Sequence, residues 1–593
     1  MARSEIAAVG VFLVGTCTLA APTPALQRDQ QRSSGSPVSC STLALRADRV
    51  HTKGGFGMAT CGEAAVRLLE QYDVDTIFGI PGVHTLEYYR GLADSPIRHV
   101  TPRHEQGAGY MALGYTRVTG KPGVCCLITG AGLTNASTAI ATAHHDSLPM
   151  LILSSGTATE DAEQGHGSLH DLPDQPAFMK TICALSIDVR DPADLADAFA
   201  QAFEVFDSQR PRPVHISVPI DVLSLPAAGD QRLPNRGTAP TVDSVLLEQA
   251  ADALAAATRP MILIGGGTAH AQTEVIAIAE QLGAPVAMTI AAKGVVPDAH
   301  PLSLGTTATI SPIFEEFEQA DVVLVVGTEF SETDYFYSPT LAPPAFGGTV
   351  IRIDIDQAQL SKRRPATLGL HGDAATTLTV LHAALGRRGV QGAGDVRAAA
   401  LRAANAWWPG HEEFKPFLSA LAAALPDNGV LAVDSTQPVY VAAHLWRGTR
   451  PNAYLPYGGF GTLGPAMPMA IGAKLGAPDR PVVALAGDGG FLFTIQELAT
   501  AVDLGLPIAI VIWQNHGYGE IKDSMERVDM TPVGVSTSAH DYLKIAEGFG
   551  CHAVRAESLD ALGDLVAAAF AADRPTLIEV VADRVAPSAL PVR

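Results

Sequence analysis

One turn in the chain suits an anion and a cation together: Gly487-Asp488-Gly489-Gly490, directly after the apolar run Val482-Val483-Ala484-Leu485-Ala486. A strand running into glycines leaves backbone amides free and lets them approach an anion closely. Ile495, Leu498, Ala499 and Val502 then recur at helical spacing within Thr494 to Leu504, so a helix follows the turn. A second apolar run, Ile508 to Trp513, delivers Gln514-Asn515-His516-Gly517-Tyr518-Gly519. In a strand–helix–strand crossover the carboxyl ends of parallel strands lie side by side, where open α/β sheets bind ligands. Asp488 and Asn515 should therefore meet. With the Gly517 carbonyl they make a set of hard oxygen donors suited to Mg2+ completed by phosphate oxygens. The bland alternative is a glycine turn with a helix-capping Asp, and a GDG triplet alone does not exclude it.

These loops need parallel sheets to hold them, and the rest of the chain supplies the pattern. Short apolar runs alternate with helical patterns, the signature of α/β layers. In the first unit the runs are Thr76 to Gly79, Gly123 to Ile128 and Met150 to Leu153, and the unit closes near Val214-His215-Ile216-Ser217-Val218-Pro219. A polar, Pro-containing stretch from Ala227 to Thr241 reads as a linker. The second unit has runs at Met261 to Ile264, Val286 to Thr289, Val322 to Val326 and Val350 to Ile353. A helix-rich connector around Gly386 to Ala406 leads to a third unit beginning near Pro409. The expected domains are 58–230, 242–390 and 409–593, with the first helix starting at Met58. The first and third could share a fold without sharing sequence.

A chain of 593 residues exceeds what one core usually supports. At 47% apolar and 17% charged it is globular in composition. Its formal charge of −21 repels phosphate backbones, so nucleic acid is not an expected partner. An anionic cofactor is still admissible, because glycine-loop amides and a metal act locally. Seven Cys, without CxxC or His/Cys clustering, form neither a disulfide framework nor a zinc site, and a reduced cytoplasmic setting is expected. Residues 1–57 carry a short apolar run, Ile6 to Ala21, and read as an N-terminal extension, signal-like or mis-assigned; the run is too short for a comfortable membrane span.

The GDG turn, the crossover and the Asn-His-Gly-Tyr-Gly loop together resemble the thiamine-diphosphate signature, GDG followed at a distance by Asn. The first unit adds Phe78-Gly79-Ile80-Pro81-Gly82-Val83-His84, Arg103-His104-Glu105-Gln106-Gly107-Ala108 and Thr129-Gly130-Ala131-Gly132-Leu133-Thr134-Asn135. These are similar to the FGxPG, RHEQxA and GPGxTN segments of the acetolactate synthase and 2-oxo acid decarboxylase superfamily, with Ala131 where the family usually has Pro. The resemblance implies three parallel-sheet α/β domains, pyrimidine-binding, central and diphosphate-binding. It also implies a homodimer or homotetramer with cofactor sites between subunits. Pro81, Gly82 and Asn135 would line the pyrimidine end. Glu105 would exchange a proton with the aminopyrimidine, helped by apolar walls that favour its protonated form. Gly458-Gly459-Phe460-Gly461-Thr462-Leu463-Gly464 resembles the family's GxGTMG segment. It implies a cofactor-facing carbonyl at Gly461 and an apolar wedge at Leu463, which replaces the commoner Met at similar volume.

Further stretches resemble 5-guanidino-2-oxopentanoate (2-ketoarginine) decarboxylases: FGIPGVHTLEYYRGL, GSLHDLPDQ, GTEFSETDY, DSTQPVY and NHGYGEIK. The implied reaction is non-oxidative decarboxylation of a 2-oxo acid, with thiamine diphosphate and Mg2+. His84 is the expected proton relay, ahead of His144 and His145. A guanidinium substrate calls for a carboxylate, first Glu520, then Asp171, Glu332 and Asp334. Gln437 would be a cofactor-pocket amide. The alternatives are an acetolactate synthase-like carboligase and a non-catalytic cofactor-binding paralogue. GTEFSETDY stands where the synthases carry an Arg-containing segment at their flavin-binding domain, so FAD has room in this reading but is not called for.

Overall fold

Apolar runs buried on both faces are what an all-parallel sheet with helices on either side requires, and three such sheets form here. The computed structural model describes residues 59–585 apart from 163, 228–236, 309, 311, 336–341, 391, 393–395, 405–411 and 539. The N-terminal extension and the expected domain start near Pro409 lie outside the described residues. The described residues belong to one compact unit.

The first sheet contains β1 (Thr76–Gly79), β2 (Arg98–Val100), β3 (Gly123–Leu127), β4 (Met150–Gly156), β5 (Leu185–Asp188) and β6 (Val214–Pro219), in the order β2-β1-β3-β4-β6-β5. The second contains β7 (Pro260–Ile264), β8 (Val286–Met288), β9 (Val322–Val326), β10 (Thr349–Asp354) and β11 (Leu368–His371), ordered β11-β10-β9-β7-β8. The third contains β12 (Val430–Val433), β13 (Tyr454–Leu455), β14 (Val482–Gly487), β15 (Ile508–Gln514), β16 (His552–Arg555) and β17 (Thr576–Val581), ordered β13-β12-β14-β15-β17-β16. Counted from its own first strand, the third sheet repeats the order of the first. The two outer domains therefore share one topology.

The first helix runs Cys61–Gln71 rather than from Met58. A capping box sets its start: Glu63 N–H donates to Thr60 Oγ1 at 3.2 Å and Thr60 N–H to Glu63 Oε2 at 2.7 Å. The helix after the GDG turn likewise begins later than its apolar spacing suggests, at Glu497–Asp503. Among the described residues no helix is long and apolar enough to cross a membrane.

A single apolar core runs through the first and third domains, with Met111, Leu113 and Ile140 of one against Met467, Ile471 and Leu498 of the other. At its centre the helix Glu105–Thr119 crosses the helix Ala466–Gly476. Gly114 faces the Met469 carbonyl and Gly472 faces the Met111 carbonyl, and a Cβ at either position would overlap that backbone oxygen. Rigid backbone cannot yield as a flexible side chain would, so Gly472→Ala should cost about 1–3 kcal/mol, the range for overpacking. Scanning calorimetry should register a lower unfolding temperature. Gly386→Ala, whose nearest neighbour would be a Gln281 amide nitrogen at 3.6 Å, should leave it unchanged.

Candidate active site at the ends of two parallel sheets

β14 pairs with β15 so that Gly487 lies beside Trp513, which brings the two following loops together. Asp488 is buried and accepts from the Gly489 N–H at 2.9 Å, with the backbone amides of His516 and Gly517 close to its carboxylate. Burial pushes its carboxyl above the usual range, and those amides offset part of that. Asn515 Oδ1 lies 3.1 Å from Asp488 Oδ1 and 2.8 Å from the Gly517 carbonyl oxygen. Neighbouring ligands of an octahedral Mg2+ bound at 2.0–2.1 Å are about 3 Å apart. Three oxygens at such separations repel unless a cation lies among them, so the residues present fit the metal.

The loop is tightly built. His516 takes a left-handed φ of 63°, Gly489 packs against the Tyr518 ring, and the Tyr542 hydroxyl donates to the Asp488 carbonyl at 3.0 Å. Gln437, expected to face the cofactor pocket, stands behind Asn515 instead. Its Oε1 accepts from Asn515 Nδ2 at 3.0 Å, and its Nε2 donates to Asp523 Oδ2 at 2.7 Å. Gly519 must be glycine, because a Cβ there would run into both amides.

The turn Gly458–Gly464 joins this half-site from the amino-terminal side of the helix Ala466–Gly476. Gly461 and Gly464 have φ of 70° and 90°, and Leu463 is half-buried between them. Asp434, buried at the end of β12, ties the turn down by accepting from the Gly464 N–H at 2.9 Å. Gly490 leaves room for that carboxylate, which burial pushes up to about 7.

The first domain provides a second constellation at the carboxyl ends of β1 and β3. Gly82 packs on Ile128 and is locked by Thr85, whose Oγ1 accepts from the Gly82 N–H at 3.1 Å. Pro81 beside it is exposed. Glu105 opens its helix with Asn135 Nδ2 donating to its Oε2 at 2.9 Å. Within one chain Glu105 is half-buried, not enclosed by apolar walls as expected. His84 meets the ring of His170 edge to face, centroids 5.3 Å apart, and its Nδ1 is buried without a hydrogen bond. Burial and then His170 hold the His84 imidazole below its usual pKa.

Glu497 is a site residue that no motif announced. Fully buried on the third domain, it accepts from the Arg103 and His104 N–H groups at 3.1 and 3.0 Å and from the Thr500 hydroxyl at 2.6 Å. It thereby satisfies the open amino end of the helix that begins with Glu105. Gly107 makes room for it.

The remaining candidates scatter. His145 packs against Phe460 of the glycine turn. His144 faces the other way, held down to about 4 by burial and by Arg212 and Arg210. Asp171 accepts from the Thr157 hydroxyl at 3.2 Å beside the first sheet. Asp334 accepts from the Ser331 N–H at 3.1 Å and, unlike exposed Glu332, lines a cavity of about 740 Å3 at the junction of the three domains. Neither residue stands by the metal loop. Glu520 does: it is half-buried at the start of the helix Gly519–Arg527, near enough to Tyr440 and Tyr457 for its charge to add to the burial that raises both phenols.

The two constellations and the three sheets define a thiamine-dependent enzyme, and the chain belongs to the thiamine pyrophosphate enzyme family. The N-terminal thiamine pyrophosphate binding domain matches residues 59–178, the central domain 247–381 and the C-terminal thiamine pyrophosphate binding domain 434–580. Among individual proteins, the chain is 44% identical over 530 residues to AruI of Pseudomonas aeruginosa, described as a 2-ketoarginine decarboxylase, covering 88% of this chain and 94% of that one. It is 31% identical over 566 residues to an acetolactate synthase large subunit of Methanocaldococcus jannaschii, covering 88% and 91%. The crystal structure of a protein from Mycobacterium smegmatis described as thiamin diphosphate-dependent superimposes with a TM-score of 0.75 at 26% identity, covering 90% of this chain and all of that one.

Glu497→Gln keeps the side-chain volume but turns an amide N–H toward donors that need an acceptor. Leaving a buried donor unsatisfied costs about 1–3 kcal/mol. Chemical denaturation should show that loss of stability, and kcat should fall as the amino end of the Glu105 helix shifts.

Proposed function

We propose that this enzyme is a thiamine-diphosphate- and Mg2+-dependent decarboxylase that converts 5-guanidino-2-oxopentanoate to an aldehyde and CO2. The observation that carries the substrate is the 44% identity, across nearly the whole length of both chains, to a protein described as acting on that compound. Bound thiamine diphosphate supplies the nucleophilic carbon that adds to the 2-oxo group and takes up the electrons released with CO2. The chain's residues do the rest. Asp488, Asn515 and the Gly517 carbonyl hold Mg2+, and Gly487, Gly489 and Gly490 offer open backbone to the diphosphate. The Gly461 carbonyl accepts from the aminopyrimidine and Leu463 shapes the cofactor. Glu105 holds a proton on Oε1 for the pyrimidine ring while Asn135 occupies Oε2. His84 is the proton donor to the carbon that loses CO2.

For the guanidinium group we assign Glu520, a half-buried carboxylate at the start of the helix that follows the metal loop, which suits ion pairing. Each chain carries both halves of a cofactor site, Glu105 bonded within the first domain and Asp488 within the third, so a homodimer or homotetramer with sites between subunits completes them. Free buried thiols at Cys61, Cys125, Cys126, Cys183 and Cys551 suit the cytoplasm. The carboligase reading rests on the relatives near 31% identity; stoichiometric acetolactate from pyruvate alone would replace the decarboxylase.

Four measurements test this reading. A panel of 2-oxo acids, assayed for CO2 and aldehyde, should give the highest kcat/KM with the guanidino compound, and chelation of the metal should abolish turnover until Mg2+ returns. Glu105→Gln should lower kcat by roughly 10²–10⁴, the range for lost acid–base catalysis; unchanged turnover would favour a non-catalytic paralogue. Glu520→Gln should lower kcat/KM for the guanidino acid by about 1.5–3 kcal/mol, the worth of a charged hydrogen bond, and spare uncharged 2-oxo acids. Equal losses on both would remove Glu520 from substrate recognition.

A further inference from the structure

The oxygen of Asn515 can serve a cation only if the carboxamide is turned the right way, and nothing in the Asn515 side chain itself decides that. A carboxamide is nearly symmetric in shape, with an acceptor on one arm and two donors on the other. Turned over, its nitrogen would sit 2.8 Å from the Gly517 carbonyl and 3.1 Å from Asp488 Oδ1, and would donate to both. That orientation satisfies the Gly517 and Asp488 oxygens without a metal and blocks the metal's place, but it turns the Asn515 oxygen toward Gln437. The loop thus has two stable arrangements, one that receives a cation and one that closes on itself.

We infer that Asp523 is the residue that selects between them. Its carboxylate, acting through Gln437, holds Asn515 in the metal-receiving orientation. A carboxylate can only accept, so Asp523 Oδ2, 2.7 Å from Gln437, fixes the Gln437 nitrogen toward itself. Gln437 Oε1 is then directed at Asn515, which must answer with Nδ2, at 3.0 Å. Asn515 Oδ1 is left facing Asp488 and Gly517. The polarity passes through two carboxamides from a group that touches neither metal nor cofactor. Gly519 allows both amides to pack this closely, since any side chain there would separate them. Asp523 lies on the exposed face of the helix Gly519–Arg527, where its loss leaves no hole in the core. It is a positioning residue for the metal site, and the inference rests on the Mg2+ reading above.

The test measures metal affinity directly. The full-length apoprotein, with thiamine diphosphate added, is titrated with Mn2+ and the free ion followed by electron paramagnetic resonance, with Mg2+ competition. Asp523→Ala should weaken binding about tenfold, at the lower end of the range for groups that orient metal ligands. Asp523→Asn, which can still offer an amide oxygen to Gln437, should recover part of it. The effect should vanish in a Gln437→Ala background, because the polarity then has no path to Asn515. A loss that persists there would mean the Asp523 charge attracts the cation through space, which overturns the inference. Unchanged affinity in the single variant also overturns it. If the unsubstituted protein takes up no divalent ion with thiamine diphosphate, the Mg2+ reading fails first, and separately.

Discussion

Both half-sites of the chain depend on one close crossing of backbones. The helix Glu105–Thr119 carries Glu105, the proposed acid–base residue, at its amino end, and the turn holding Gly461 and Leu463 leads straight into the helix Ala466–Gly476. These two helices meet at Gly114 and Gly472, where carbonyl oxygens occupy the space that side chains would need. Packed interiors transmit displacement rather than absorb it. A change in the crossing therefore moves the pyrimidine-side and wedge-side groups together, and Glu497, bridging from one helix system to the backbone before Glu105, locks the same joint from its open end.

An acidic protein that holds an anionic cofactor has an electrostatic problem, and the structure answers it locally. The proposed diphosphate end offers glycine amides at the mouth of a parallel sheet, and the one carboxylate proposed for the metal, Asp488, already accepts from the Gly489 N–H. Other buried carboxylates near the site, Asp434 and Glu497, are occupied by backbone amides and face the scaffold. Negative charge there is spent on fixing loops in position.

The sequence was most legible where one strand leads directly to one loop. Runs such as Thr76 to Gly79 and Val322 to Val326 coincide with β1 and β9, since parallel strands buried on both faces leave an unbroken apolar signature. Asp488, Asn515 and Gly517 could be brought together from crossover geometry alone. Glu497, Asp434, His170 and Asp523 could not. Each acts on a partner far along the chain, and each has a residue type that is ordinarily a solvated or capping group. Gln437 could be drawn to the right region but not to its partners Asn515 and Asp523, because a motif locates a residue without saying which way its amide turns. Helix starts shifted to Cys61 and Glu497 for a related reason: apolar period marks the buried face, and capping bonds decide where the first turn begins.

The glycine crossing also has a consequence for how the chain is made. Its two helices are separated in sequence by the whole central domain, so the ribosome delivers one long before the other. At 5–20 residues per second the first helix waits roughly 20–70 s for its partner. During that interval the first domain can close its own sheet but not its shared core, and Met111, Leu113 and the surface around Gly114 stay uncovered on the nascent protein. A feature that joins the two domains of the finished enzyme is thus, during synthesis, an apolar surface open to water.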